Sequence, residues 1–228
     1  MVEVKGISKK YGKKQVLSDV SFTAQSGEII ALIGANGCGK STLLQILAGC
    51  MKADAGEVFY YGHKAVRADV YQKYIGYVAQ ENPFLEQLSV RDNLKLWKKC
   101  TEEQLEETIR VYELGDILKQ SVESLSGGMK RRLAIACALM NRPPVIILDE
   151  PTTALDFAHK DKIYQMLNDH RESQGIIIVA THEEEEIANA SRVLLMQDGT
   201  ISEIKKEDIS KELLIEIYNN QERRGTKG

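Results

Sequence analysis

The chain has 228 residues, enough for one large domain or for a core carrying one inserted subdomain. Its 43% hydrophobic and 28% charged residues, with 17 Gly and 4 Pro, exclude collagen-like, low-complexity and disordered chains. The 33 acids against 30 bases leave a net charge of -3, so no global positive field exists to hold a polyphosphate backbone, and nucleic acid is disfavoured as a partner.

The four cysteines, Cys38, Cys50, Cys100 and Cys137, form no C-x-x-C pair. That spacing suits neither a zinc site nor a disulfide framework, and the expectation is reduced thiols in a cytosol. Residues 1–14 carry charge without the apolar stretch of a signal peptide. The longest apolar runs, 133–140, 145–148 and 176–180, fall well short of the roughly 18–20 residues that span a bilayer. The chain is expected to be soluble by itself, so any transport role is one shared with other subunits.

In chain order, residues 2–8 and 16–24 cluster or alternate apolar side chains as strands do. Residues 29–33 form a fully apolar run before a glycine, the pattern of a strand buried on both faces of a parallel sheet. Leu43, Leu44 and Leu47 predict a helix over 40–48, with Gly49 near its end. Strands are predicted at 58–61 and 75–79. Ser89 with Asp92 opens a helix through about 99, and Thr101 with Gln104 forms a capping box opening another to 114. No strand signal appears between Gln80 and Ser126, so this stretch reads as a helical insertion.

Alternation of helix and strand then resumes. A helix over 129–139 stops before Pro143 and Pro144, and a strand follows at 145–148. A helix over 157–171, a strand at 176–180, and a helix after Thr181 come next. Residues 193–196 and 200–204 form a hairpin across Asp198–Gly199, and the charged tail from Lys205 reads as a small helix with a frayed end. Alternating elements around buried strands indicate an α/β core.

Residues 34–41, Gly-Ala-Asn-Gly-Cys-Gly-Lys-Ser, fit G-x-x-x-x-G-K-[ST] between an apolar strand and a helix. Glycines let backbone N–H groups curl around phosphate oxygens, and the helix N-terminus adds positive potential. The candidates to hold a nucleotide are Gly34, Asn36, Gly37, Cys38, Gly39, Lys40, Ser41 and Thr42. Lys40 would reach the β- and γ-phosphates, and the Ser41 hydroxyl would ligate Mg²⁺. The strand 145–148 leads into Asp149 and Glu150. At the C-terminal end of a buried strand, Asp149 is placed to hold Mg²⁺ and Glu150 to polarise an attacking water.

Ser126-Gly127-Gly128 is the third element, and with it the sequence resembles the ATP-binding-cassette ATPases, more the exporter type than the importer. The segment 125–129, Leu-Ser-Gly-Gly-Met, is similar to that family's signature, and Ser126 also suits a helix cap. The resemblance runs from about residue 2 to residue 204. It implies an α/β P-loop NTPase core with an antiparallel β subdomain and an inserted α-helical subdomain. Residues 1–80 would hold the β subdomain and first part of the core, 81–125 the helical insertion (its last helix reaching about 140), 126–204 the rest of the core, and 205–228 the tail. Gln80 resembles the Q-loop glutamine that bridges metal and insertion. Residues 151–156 resemble the D-loop, with Asp156 facing an opposite subunit or capping the next helix. His182 matches the switch histidine at the γ-phosphate, and Tyr11 the aromatic residue that stacks on adenine.

Two positions depart from the family. Met129 replaces the usual glutamine, and Cys38 stands where alanine or serine is common, near the expected phosphates. The resemblance implies ATP and Mg²⁺ as ligands, ATPase activity, and half a site per chain, with Ser126–Gly128 supplied by a second cassette, identical or homologous. It implies a subunit peripheral on the inner face of the cell membrane, energising separate permease subunits. Residues 125–133 look more like exporter than importer cassettes, and the short tail lacks the regulatory domain of some importers. A soluble ATPase of the same superfamily acting on nucleic acid or ribosomes is the alternative; the single cassette and short 80–126 interval disfavour it. The signature and His182 disfavour a P-loop kinase or GTPase.

Overall fold

The computed structural model describes residues 1–81, 84–96, 101–153 and 155–219. Cys100, the predicted helix end at 97–99 and the tail beyond 219 lie outside them.

Valine, isoleucine and leucine dominate β3 (Ile29–Ile33), β7 (Val145–Asp149) and β8 (Ile176–Ala180), and every residue of the three strands is buried. Such runs suit a parallel sheet covered on both faces. With β6 (Ile75–Val78), β9 (Arg192–Gln197) and β10 (Thr200–Ile204) they form a six-stranded sheet of order β10-β9-β3-β8-β7-β6. All neighbours are parallel except β10, which closes the predicted hairpin against β9.

The two-residue period of a strand divides the core. Ile30, Leu32, Ile147 and Ile178 face one hydrophobic cluster with Leu43, Leu44 and Leu47 of α1 (Lys40–Leu47). Ile29, Ala31, Ile33, Ile146, Leu148, Ile177 and Val179 face the other, with Ile163 and Leu167 of α6 (Phe157–Glu172). A four-stranded antiparallel sheet covers the first cluster. It is built from β1 (Val2–Tyr11), β2 (Lys14–Ala24), β4 (Ala55–Tyr60) and β5 (His63–Lys64) in the order β2-β1-β4-β5, and buries Val2, Val4, Ile7, Leu17, Val20 and Tyr60.

Helices α3 (Val90–Leu96) and α4 (Glu102–Val111) have a third cluster of their own. Val90, Leu94, Leu105, Ile109 and Leu114 meet Leu133, Ala136 and Met140 there. The helix α5 (Gly127–Leu139) lies between clusters, sending Ile135 to the sheet and Leu133 to α3 and α4. The predicted capping box forms at α4: Gln104 N–H donates to Thr101 Oγ1 at 3.2 Å, and Thr101 N–H to Gln104 Oε1 at 2.8 Å.

Several elements differ from expectation. α5 begins at Gly127 rather than Met129, because Ser126 Oγ accepts from Met129 N–H at 3.3 Å and caps the first turn. A seven-residue helix, α2 (Ala68–Tyr74), and the two-residue β5 have no counterpart in the sequence reading. α2 is too short to display a helical period; it packs Val70, Tyr71 and Tyr74 against the first cluster, with Tyr71 edge-on to Tyr60 at 6.2 Å. The last elements are α7 (Glu184–Asn189) and α8 (Lys211–Asn219).

Gly76 in β6 lies so close to α5 that a Cβ there would sit 2.5 Å from the carbonyl oxygen of Ala138. Gly76→Ala is expected to lower unfolding free energy by about 1–3 kcal/mol, the usual penalty of overpacking. Urea denaturation measures it, and an unchanged midpoint would show that the α5 backbone yields freely.

Candidate functional site

The parallel strands deliver their following loops to one edge, where α/β folds place ligands. After β3, Gly34 approaches β9 so closely that a Cβ would stand 2.4 Å from Met196 O, which leaves room only for glycine. Gly39, at φ 118°, closes the loop and caps α1. Lys40 is buried, and its ammonium donates to the carbonyls of Gly34 at 2.7 Å and Ala35 at 3.2 Å. The loop opens into a cavity of about 660 Å³, lined by Asn36, Gly37, Gly39, Lys40, Ser41 and Thr42 together with Tyr11, Val16, Gln80, Glu150, His182 and Tyr218. Tyr11 is half-exposed, its hydroxyl 2.9 Å from Met51 Sδ.

Asp149 ends β7, buried, and its carboxylate bonds the Ser41 side chain. Burial pushes its carboxyl above the ordinary aspartate range, against the opposing pull of Ser41, Lys40 and Arg131. Glu150 follows at φ 49°, a left-handed conformation uncommon outside glycine, held by its N–H donating to Ala180 O at 2.9 Å. Its carboxylate accepts from Gln80 Nε2 at 3.3 Å and Thr153 Oγ1 at 3.4 Å, and lies 3.7 Å from His182 Nδ1. Three separate strands, β6, β7 and β8, thus bring Gln80, Glu150 and His182 to one point.

Other predicted residues lie elsewhere. Ser126, Gly127 and Gly128 start α5 and do not line the cavity. Gly128 lies against the His159 ring, 3.0 Å from where its Cβ would be, and Asp156 caps α6 by accepting from His159 N–H at 3.0 Å. The signature start and Asp156 therefore share a second surface of their own. Cys38 belongs to the loop, its sulfur lies against Gly34 and the first core cluster, and it is not among the residues that line the cavity. Burial there raises its thiol above the ordinary range, outweighing the nearby Lys40. In the acidic run after His182, Glu186 is buried and accepts from Thr152 Oγ1 at 2.6 Å.

Two residues escaped the sequence reading. Arg131 of α5 buries its guanidinium beneath the site and donates to the carbonyls of Ala79 at 2.5 Å, Asp149 at 2.6 Å and Pro151 at 2.8 Å. These carbonyls belong to, or directly precede, the segments carrying Gln80 and Glu150. Burial lowers its pKa to about 10, which leaves it charged at neutral pH. Arg131 stands in the basic run 130–132, and its helical spacing three and four residues before the buried Ala134 and Ile135 was the available signal. Tyr218 of α8 is the other, spaced with Leu214 and Ile217 as one helical face.

Residues 17–153 match the family described as ABC transporter. A spermidine/putrescine import ATP-binding protein of Bacteroides fragilis is 32% identical over 96% of this chain and 48% of its own length. A sulfate/thiosulfate import ATP-binding protein of Pectobacterium atrosepticum is 31% identical over 89% of this chain and 66% of its own. The chain thus spans about half to two thirds of these import proteins. A lantibiotic transport ATP-binding protein of Streptococcus pyogenes is 32% identical over 97% of each chain. Among solved structures, a dimeric ATP-binding cassette in a post-hydrolysis state, bound to ADP and Pi, superposes with a TM-score of 0.81 at 29% identity, covering 92% of this chain and 100% of that one. An ATP-binding subunit of an ABC transporter gives 0.83 at 25% identity over 99% and 98%. The glycine loop, the acids after β7 and these matches agree: this chain belongs to the ABC transporter family, as one of its ATP-binding cassettes.

Proposed function

We propose that the chain binds and hydrolyses ATP to drive a substrate through separate membrane subunits. The observation that carries this reading is the convergence of Gln80, Glu150 and His182 at the mouth of the Lys40–Ser41 loop, in one cavity. Lys40 neutralises phosphate charge, and Glu150 takes a proton from the attacking water while Gln80 and His182 orient around it. Tyr11, exposed at the rim, is placed to stack on a base.

The donors fit Mg²⁺: Ser41 hydroxyl, Asp149 carboxylate and the Gln80 amide oxygen are hard oxygen ligands, and a cation would offset the cost of burying Asp149. When bound, Mg²⁺ supplies neutralisation of charge between the β- and γ-phosphates. Among the described residues no group of three His, Cys, Asp or Glu forms a metal cluster, which leaves these donors and the nucleotide's own oxygens.

Ser126–Gly128 and Asp156 lie apart from their own cavity, so one copy holds half a site. A second cassette, identical or homologous, supplies the other half, and phosphate contacts shared by both hold the closed dimer until hydrolysis releases them. Residues 81–125 form the lever: Gln80 leads into them, and α3 and α4 have their own core. Among the described residues no helix is long and apolar enough to cross a membrane. In this reading the translocation path belongs to permease subunits, on whose cytoplasmic face the cassette sits. Residues 125–133 support export. Relatives named for import and for lantibiotic transport both occur, and the substrate is set by the permease.

Glu150→Gln is expected to keep ATP affinity, to lower turnover at least about 100-fold, and to accumulate a dimer in Mg-ATP. Light scattering and steady-state hydrolysis check this, and unchanged turnover would remove Glu150 as the base. Lys40→Ala should cost about 3 kcal/mol of phosphate stabilisation, read as a loss near 100-fold in turnover. Wild-type kinetics would sink that assignment. Burial raises both thiols, but Cys38 is half-buried where Cys50 is exposed, so iodoacetamide should label Cys38 more slowly at pH 7, with the rate climbing as pH rises toward the thiol pKa. Peptide mass spectrometry measures both sites; rapid labelling of Cys38 at pH 7, blocked by ATP, would return its sulfur to the phosphate face.

A further inference from the structure

α8 lies beyond every motif used above, yet it reaches the cavity. Ser210 opens it, with Leu213 N–H donating to Ser210 Oγ at 3.1 Å. Leu214, Ile217 and Tyr218 fall on one face and pack against the second core cluster, which fixes the helix to the sheet. From that anchor Tyr218 enters the cavity wall beside His182. Its ring stands edge-on to the imidazole, with centroids 6.4 Å apart and planes at 83°. Its hydroxyl donates to the carbonyl of Thr181, the residue before His182, at 3.2 Å. Burial pushes the phenol up to about 12, so it remains a neutral donor at working pH.

His182 needs such a brace. Its side chain is 42% exposed, and the contact that links it to the hydrolytic cluster is the 3.7 Å approach of Nδ1 to Glu150. The backbone around it is tied down separately: Thr181 N–H donates to Leu32 O at 3.2 Å, and Glu183 N–H to Thr181 Oγ1 at 2.9 Å. Those bonds place the Cα but leave the ring free to turn. Glu150 and Tyr218 both stand against it.

We infer that Tyr218 is a positioning residue for hydrolysis: α8 holds its ring against His182 and its hydroxyl on Thr181, fixing the imidazole in the orientation that faces Glu150. The inference rests on the ATPase reading above and extends the working site to the C-terminal helix.

The test is steady-state ATP hydrolysis by the full chain carrying Tyr218→Ala, Tyr218→Leu or Tyr218→Phe, His182→Ala, and the Tyr218→Ala/His182→Ala pair. Tyr218→Ala and Tyr218→Leu are expected to lower kcat about three- to tenfold with KM for ATP unchanged, the scale of one lost aromatic contact. Tyr218→Phe, which keeps the ring, should recover most of that loss. Leucine preserves the packing of α8, so a thermal melt like wild type separates lost orientation from lost folding. In the His182→Ala background Tyr218→Ala should have no further effect, since a brace without its histidine acts on nothing.

Additive losses in the pair would overturn the inference, as would wild-type kcat in Tyr218→Leu or a rise in KM alone. Faster turnover in Tyr218→Ala would overturn it in favour of an α8 that obstructs the second cassette. A wild type that neither binds nor hydrolyses ATP, or a fully active His182→Ala, would instead overturn the functional reading and Tyr218 with it. Full activity in Tyr218→Leu beside a crippled Glu150→Gln would remove Tyr218 alone.

Discussion

A parallel sheet hidden on both faces can present polar groups only at its ends. In β3, β7 and β8 every side chain is buried, and the alternation of Ile, Val and Leu feeds one hydrophobic cluster on each face. No charged or polar residue stands in these strands before Asp149, the last residue of β7. The glycine loop, Asp149–Glu150 and His182 all occur within a few residues of that exit, and because the strands are parallel, the exits coincide. The site is a consequence of the core's dryness.

That edge carries a dense set of charges, and their neighbours explain how it holds together. Asp149 is buried and its carboxyl resists ionisation, Glu150 has a left-handed backbone, and Lys40 is folded into its loop. Arg131 opposes this from below, with one guanidinium satisfying three carbonyls from the segments around Gln80, Asp149 and Pro151. Buried carbonyls without donors and a buried cation without acceptors would each cost several kcal/mol, so each is the other's remedy. Because Arg131 belongs to α5, the helix that Ser126 caps, the two surfaces proposed to meet across a dimer are joined through the core of one chain.

The strands 29–33, 145–148 and 176–180 were legible because burial on both faces demands uninterrupted apolar runs. The caps at Thr101, Ser126 and Asp156 were legible because capping is local, set within three residues. α2 was not: seven residues display barely two turns, and its reason to be helical is Tyr71 and Tyr74 meeting Tyr60 from another strand. Cys38 was placed correctly in its loop, but the direction of its sulfur depends on Gly34 and the cluster beneath, which no local pattern records.

What the sequence by itself determined is the set of local chemistries: a glycine loop before a helix, paired acids after an apolar strand, helix caps, and a resemblance strong enough to name the family. These depend on neighbours in the chain and survive without knowledge of the fold. Only the tertiary structure decided that Gln80, Glu150 and His182 share one cavity, that Arg131 points inward beneath them, and that Tyr218 braces His182 from the last helix. Those contacts join residues far apart in the chain, and strand order and helix packing, rather than any periodicity along the chain, bring them together.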